Sequence, residues 1–340
     1  MSKENENNPD GKKIVTPKDP DLMEDAIMFT VQPNDPDAWY SHGNTLAKLN
    51  RHAEALESYE KALAIKPDCA KAWNNRGNAL DYLGRHTDAL ESYDKTLTIN
   101  PNDFKAWCNR GLALADLGRH AEALTSFDKA ITIKPDYTNA WQGRGNALRS
   151  LGRYEEAVAS HDKAIAIKPD YINAWYARGN ALGVLGQHED ALASFDKAIA
   201  LNPDFADAWY ARGIALCKLG QHIGTRYNHG SASDYLGWHA EAVDSYDRAL
   251  AIKPEFADAW YNRGTALFEL GLHTDAITSF NKALVINPDD PKMWFGRGIA
   301  LIELGRYKDA VKSFDKALAI RPDYIFAKKY RDIALKRKKW

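Results

Sequence analysis

The chain is 340 residues long, 45% apolar and 27% charged, with a net charge of −1. That near-neutrality excludes a field over the whole chain that would draw nucleic acid or an anionic membrane. Three cysteines, Cys69, Cys108 and Cys217, share no motif, which excludes a disulfide framework and predicts a reducing, cytoplasmic setting; no run reaches the roughly 18 apolar residues of a membrane span.

Residues 1–20 are polar and hold Pro9, Pro17 and Pro20, so a disordered tail is expected, without the apolar core of a signal peptide. Residues 21–35 carry Leu22, Ala26, Ile27, Phe29 and Val31, then a Val-Gln-Pro-Asn-Asp ending that recurs later as Ile-Lys-Pro-Asp. They predict a degenerate half-repeat covering the first full one. Tryptophan then recurs every 34 residues at Trp39, Trp73, Trp107, Trp141, Trp175 and Trp209; Trp260 follows after 51, and Trp294 after 34 again. A fixed period in this range marks a stack of supersecondary units, each too small to bury its own apolar face. Eight repeats result: 36–69, 70–103, 104–137, 138–171, 172–205, 206–256 with a 17-residue insertion, 257–290 and 291–324. Residues 325–340 read as a capping helix, with Ala327, Ile333 and Leu335 inward and Lys328, Lys329, Arg331 and Lys336 toward water. Their basic end, Lys336 to Lys339, suits a helix C-terminus in solvent.

Each repeat predicts two helices, A and B. In A, Trp at position 4 and Leu at 11 and 14 share a face; the position-11 series runs Leu46, Leu80, Leu114, Leu148, Leu182, Leu216, Leu267, Leu301. Helix A is expected to end at Gly84, Gly118, Gly152, Gly186, Gly220, Gly271 and Gly305, and at Asn50 in the first repeat, because these residues tolerate the left-handed conformation. In B, Ala55, Tyr59, Ala62 and Ile65 form the buried stripe of repeat 1. Proline ends B at Pro67 and its seven equivalents. The Asp, Asn or Glu after each proline is expected to cap the next A helix. Glycine at position 8 (Gly43, Gly77, Gly111 and so on) and alanine at 20 are expected to let the A and B backbones approach, with Trp filling the remaining gap.

The run Trp73, Gly77, Leu80, Ala89, Tyr93, Pro101, matched comparably in all eight repeats, resembles the tetratricopeptide repeat (TPR) family over residues 36–340. The resemblance implies an all-α, right-handed superhelical solenoid of antiparallel helix pairs, with A helices lining a concave groove and B helices on the convex face. It implies capture of peptides or protein segments in that groove, and neither catalytic residues nor a cofactor. Two departures stand out. Position 7 is arginine at Arg76, Arg110, Arg144, Arg178, Arg212, Arg263 and Arg297. An anion-binding stripe is one reading; pairing with B-helix carboxylates such as Asp94 or Asp128 is favoured, because this position faces the A/B crevice. Position 17 is histidine at His52, His86, His120, His188, His222 and His273, a whole repeat apart, too far to share one metal ion.

By resemblance the groove takes its lining from helix-A positions 2, 5, 6, 9, 12 and 13. The candidate binding residues are Tyr40, Asn44, Asn75, Asn78, Tyr82, Lys105, Asn109, Asn139, Asn146, Asn173, Tyr176 and Asn180, then Tyr210, Tyr261 and Phe268. Asn offers a donor and an acceptor to an extended backbone, and Tyr offers flat area with a polar tip. Lys48, Lys71 and Arg149 lie alongside, against Asp37, Asp81 and Asp116. The carboxylate clamp known in the family is matched by Asn44, Asn75 and Lys105 but lacks two charges, at Tyr40 and Asn109. No nucleophile–base pair, phosphate loop or metal-ligand cluster marks an enzyme. The expected function is a non-enzymatic scaffold for a protein or peptide partner, with no membrane and no nucleic acid; the alternative is a helical-repeat binder of single-stranded RNA.

The insertion parallels an A helix: Tyr227 to His239 aligns with Asn74 to His86. With Arg226 in the Trp place and Ser233 in a Leu place, it reads as a remnant that packs poorly. The expectation is a helix A at about 207–219 on a helix B at about 240–252, with residues 220–239 bulging as a loop or short loose helix. His222, His229, Asp234, His239 and Cys217 match no zinc signature.

Overall fold

A computed structural model describes residues 34–226 and 232–337. Among them are 17 α-helices and no strand. The expected tail (1–20) and most of the half-repeat (21–33) lie outside the described residues. The helices come in A/B pairs: α1 (Pro36–Lys48) with α2 (His52–Ile65), α3 (Ala70–Tyr82) with α4 (His86–Ile99), and α5 (Phe104–Asp116) with α6 (His120–Ile133). Next are α7 (Thr138–Ser150) with α8 (Tyr154–Ile167), α9 (Ile172–Val184) with α10 (His188–Leu201), and α11 (Ala206–Arg226) with α12 (Ala232–Ile252). Last come α13 (Ala257–Glu269) with α14 (His273–Ile286), α15 (Pro291–Glu303) with α16 (Tyr307–Ile320), and the unpaired α17 (Ile325–Arg337). They form two compact bodies, one ending at Pro135 with three repeats, the other starting at Asp136 with five repeats and α17. Within each body every helix packs on its chain neighbours, as an all-α solenoid requires.

The A helices end as expected at six glycines, with φ between 68° and 76° at Gly84, Gly118, Gly152, Gly186, Gly271 and Gly305, and at Asn50 with φ 59°. Gly220 is the exception and lies inside α11. The capping expectation holds only in part. The residue before helix A lies two places beyond the proline, and its side chain caps at Asp35, Asp103 and Asp290. Elsewhere that place holds Cys69, Tyr137, Tyr171 or Phe256. Phe256, the residue just before the seventh repeat's helix A, packs on the ring of Tyr210 in the sixth repeat's helix A, 4.5 Å away. There the position serves contact between repeats, and the acid expected as a cap sits one residue too early.

The interior departs from expectation in an informative way. The largest fully buried side chains are mostly position-11 leucines, such as Leu80 and Leu114, and B-helix aromatics, such as Tyr59, Tyr93 and Phe127, whereas the position-4 tryptophans are half-buried. Position-8 glycine faces that aromatic ring, not a backbone. A Cβ at Gly43 would lie 2.6 Å from Tyr59 Cε1, and one at Gly298 2.5 Å from Phe314 Cε1. The ring fills the space the missing side chain leaves, at the close density of a protein interior. Ile65 is 40% exposed; Leu56 and Leu63 take its expected place in the stripe.

Tryptophan and arginine clamp one repeat to the next. Indole Nε1 donates to the carbonyl of the proline ending the preceding repeat, as Trp73 to Pro67, Trp107 to Pro101 and Trp209 to Pro203, each at 2.8 Å. The arginine three residues on reaches back to the previous B helix, as Arg110 to Asp94 and Arg178 to Asp162, each at 2.7 Å. Its Nη1 donates to a serine of its own B helix, as Arg110 to Ser126 at 2.8 Å. The guanidinium also lies over the indole of its own helix, 5.8 Å from Trp107. A planar five-donor group serves all three contacts at once, which an ammonium would not. The arginine file is therefore structural.

The insertion is not a bulge. Both helices of the sixth pair run on through it, α11 to Arg226 and α12 from Ala232. Gly213 faces Tyr246, and Gly220, seven residues later, faces His239, seven residues earlier. The hairpin has thus grown by a heptad on each arm. Seven residues are nearly two turns of helix, so the same face stays inward. His239 is buried and occupies the aromatic place of this added layer. Of the histidine and acid group named for zinc, His222, His229 and Asp234 fall among residues whose side chains are not described.

Candidate protein-binding face of the A helices

In the first body the expected amides form an internal ladder. Tyr59 OH donates to Asn44 Oδ1 (3.0 Å), and Asn75 Nδ2 donates to the same oxygen (2.7 Å) and to Tyr40 OH (3.2 Å). One repeat later Tyr93 OH donates to Asn78 Oδ1 (2.9 Å), and Asn109 Nδ2 donates to that oxygen (2.9 Å) and to Asn74 Oδ1 (3.2 Å). Position 9 thus receives one bond from its own B helix and one from the next A helix. The ladder leaves defined groups over. Asn44 Nδ2, Asn78 Nδ2 and Asn109 Oδ1 have no hydrogen-bond partner among the described residues.

Two recesses share Asn78 and Tyr82. One, of about 400 Å³, is lined by Asn44, Lys48, His52, Tyr59 and Asn75 as well. The other, of about 360 Å³, adds Asp81, Tyr93, Asn109, Leu112 and Asp116. Tyr82 between them is 75% exposed, and its ring stacks on His52 at 4.3 Å and 5°. Asp81 is held by Tyr93 OH, whose one hydrogen is shared between Asp81 Oδ2 (2.7 Å) and Asn78 Oδ1, and by His86 Nδ1 on Oδ1 (3.1 Å). Burial nevertheless pushes its carboxyl above the usual range, the two hydrogen bonds only partly offsetting it. Burial likewise raises the Tyr59 phenol to about 12, with Tyr40 adding to it. Lys105 is exposed, with its ammonium 6.0 Å from the Phe104 ring.

The second body is built differently. Its B-helix ring is His161 in repeat 4 and Phe195 in repeat 5, so no hydroxyl reaches the position-9 amide. Asn139, Asn146 and Asn173 are exposed, Asn180 is half-buried, and none of their side chains has a hydrogen bond among the described residues. A recess of about 260 Å³ opens between α9 and α11, with Phe195, Ala211, Ile214 and Ala215 as apolar lining and Asn180 and Val184 beside them. It exists because Gly183 has no side chain where other repeats carry Asp81, Arg149 or Phe268. Tyr176, Tyr210 and Tyr261, like Tyr40, pack on the ring of their own B helix at 5.8–6.1 Å. Asn262 Nδ2 donates to Tyr210 OH at 3.0 Å, and Phe268 lies against His273 at 5.1 Å. These rings are half-buried between repeats. Among the A helices that are paired with a B helix, the most exposed large apolar side chains on this face are Tyr82, Leu112 and Val184. The last two escaped the sequence reading because they stand alone in positions that vary between repeats.

Tetratricopeptide repeat profiles match residues 28–69, 40–104, 74–138, 145–183, 184–220, 227–291 and 291–324. The chain belongs to the tetratricopeptide repeat family. The 227–291 match begins inside the insertion, where the sequence alignment placed a second A-like segment. No curated protein matches the chain. Solved structures resemble it in fold. The C-terminal part of a TPR repeat-containing protein from Cytophaga hutchinsonii has a TM-score of 0.60 at 16% identity, over 76% of this chain and 98% of that one. A TPR protein from Parabacteroides merdae gives 0.53 at 17%, over 78% and 98%. A chain of the APC/C hetero-tetramer Cut9–Hcn1 gives 0.53 at 18%, over 93% and 59%. At these identities the likeness concerns the fold alone. TPR proteins are in general protein-interaction modules, which is the coarse function this chain shares. Among the described residues no three His, Cys, Asp or Glu side chains are grouped to hold a metal, and no helix is long and apolar enough to cross a membrane.

Proposed function

We propose that this chain is a scaffold that holds an extended segment of a partner protein along its A-helix face. The observation that carries the reading is Tyr82: a large exposed ring with a recess on each side. A flat ring with a polar tip, set among amides, has the composition of a binding hot spot. Asn44 and Asn78 offer donors one repeat apart, which suits backbone carbonyls irrespective of side chains. In the second body, taken by itself, the exposed amides Asn139, Asn146 and Asn173 with Asn180 serve the same role, while Tyr176, Tyr210, Tyr261 and Phe268 support the face as packing.

The test is selection of a displayed library of random twelve-residue peptides on the full chain and on Tyr82→Ala. Selected peptides should bind the variant about tenfold more weakly or worse, with helical circular dichroism unchanged because the ring is largely in solvent. Equal binding removes this face from the reading. Tight, salt-dependent binding of single-stranded RNA in a filter assay would replace the scaffold with an RNA binder.

A further inference from the structure

We infer that the recess formed by Asp81, Asp116, Asn109, Leu112 and Tyr82 receives a lysine or arginine side chain of the partner segment. The inference rests on the protein-binding reading above and names the chemistry of one of its subsites. Its grounds are charge, shape and pre-positioning.

Both carboxylates point at one imidazole: His86 Nδ1 lies 3.1 Å from Asp81 and 4.0 Å from Asp116, and no lysine or arginine lines the recess. Nearby carboxylates are served by arginines, Glu60 by Arg76, Asp88 by Arg85, Asp94 by Arg110 and Glu122 by Arg119. Among the described residues Asp81 and Asp116 have no such guanidinium. The walls match a long basic side chain. Tyr82 and the 46%-exposed Leu112 offer apolar surface for its methylene stem, and such stems lie along apolar surface with the charge at the far end. Asn109 Oδ1 adds an acceptor with no partner of its own. Tyr93 and His86 hold Asp81 in place before any ligand arrives, so little ordering remains to be done on binding. Burial raises the Asp81 carboxyl, a strain that a cation beside it would relieve. The adjoining recess carries Lys48 on its lining. A basic side chain is therefore favoured on one side of Tyr82 and repelled on the other.

The probe is the same displayed twelve-residue library, selected in parallel on the full chain and on Asp116→Lys, Asp116→Asn and Asp81→Asn. Asp116 is exposed, so its variants should keep the fold. Expected are enrichment of Lys or Arg at one register position on the native chain, about tenfold weaker binding of those peptides to Asp116→Lys, and a shift toward Asp or Glu at that register on the same variant. Enriched peptides with no basic preference, or a basic preference unchanged in all three variants, overturn this inference and leave the scaffold reading standing. Absence of any enriched peptide overturns both.

Discussion

At the scale of single residues, one position shows how side-chain chemistry sets both packing and pH response. The ring opposite position-8 glycine is Tyr, Phe or, once, His161. His161 is fully buried, with Nδ1 3.1 Å from Gln142 Oε1 and no partner for Nε2. Burial, helped by the charge of Arg149, lowers its pKa from 6.5 to about 4. An unfolded histidine titrates near 6.5, so between these values the unfolded chain binds the extra proton. The stability held by neutral His161 is complete above about pH 6.5 and lost as pH falls toward 4, by about 3 kcal/mol in all. Urea unfolding followed by tryptophan fluorescence should therefore show a smaller loss between pH 7 and pH 4.5 for His161→Phe than for the native chain. Phe127 and Phe195 already fill the same place in neighbouring repeats, so the variant should fold. Equal acid sensitivity of the two proteins would refute the assignment.

At the scale of elements, the sixth helix pair shows how a solenoid accepts an insertion. Antiparallel arms can lengthen without losing their inner face only by nearly whole turns on both sides, and the Gly220–His239 layer meets that condition. The clamps below it are unaltered, since Arg212 still bonds Asp196 and Ser245, each at 2.7 Å. Removing residues 221–237 would join Gly220 to Trp238-His239, the Leu-Gly-x-His pattern of the other repeats. That deletion should fold with a melting temperature within a few degrees of the native chain, about the effect of 1 kcal/mol. Removing 214–217 alone draws Gly220 about a turn toward Gly213 while His239 keeps its place relative to Tyr246. It misplaces the Gly220–His239 layer and should cost several kcal/mol, as buried packing changes do. Similar melting temperatures for the two deletions would show that the added layer carries no packing energy.

At the scale of the molecule, stability is a sum of repeats and their interfaces, so the ends must be closed. We propose that helix α17 serves as the cap of this stack. Its Arg331 pairs with Asp315 at 3.0 Å, the same step that links Arg110 to Asp94. Yet Lys328 stands in the tryptophan place and Asp332 in the glycine place, where the other A helices leave room for a B-helix ring. Tyr330 lies 5.8 Å from the Phe295 ring and 6.5 Å from that of Phe314. Truncation after Asp323 should lower hydrogen-exchange protection in α15 and α16 and leave α9 and α10 unchanged, because coupling runs between neighbours. Uniform loss across the second body would contradict nearest-neighbour stability.

What was legible in the sequence is what repeats. The period of Trp39 to Trp209, the glycine stops and the position-11 leucines followed from spacing, because every copy must bury the same face against the same neighbour; the family came from resemblance, in the residue types that recur at that spacing. The arginines were correctly read as structural for that reason. Wherever a choice lay between partners for one side chain, tertiary structure decided. It turned the Asn44, Asn75, Asn78 and Asn109 file into a mostly self-bonded ladder with three groups left over. It moved the tryptophans from the core to the joints, and placed Tyr82 in solvent while Tyr40, Tyr176, Tyr210 and Tyr261 became packing. It also turned the expected bulge into two lengthened helices. Periodicity specifies which face of a helix is inward. Which group on that face meets which is settled only when a second helix arrives, since hydrogen-bond partners here lie 15 to 35 residues apart along the chain.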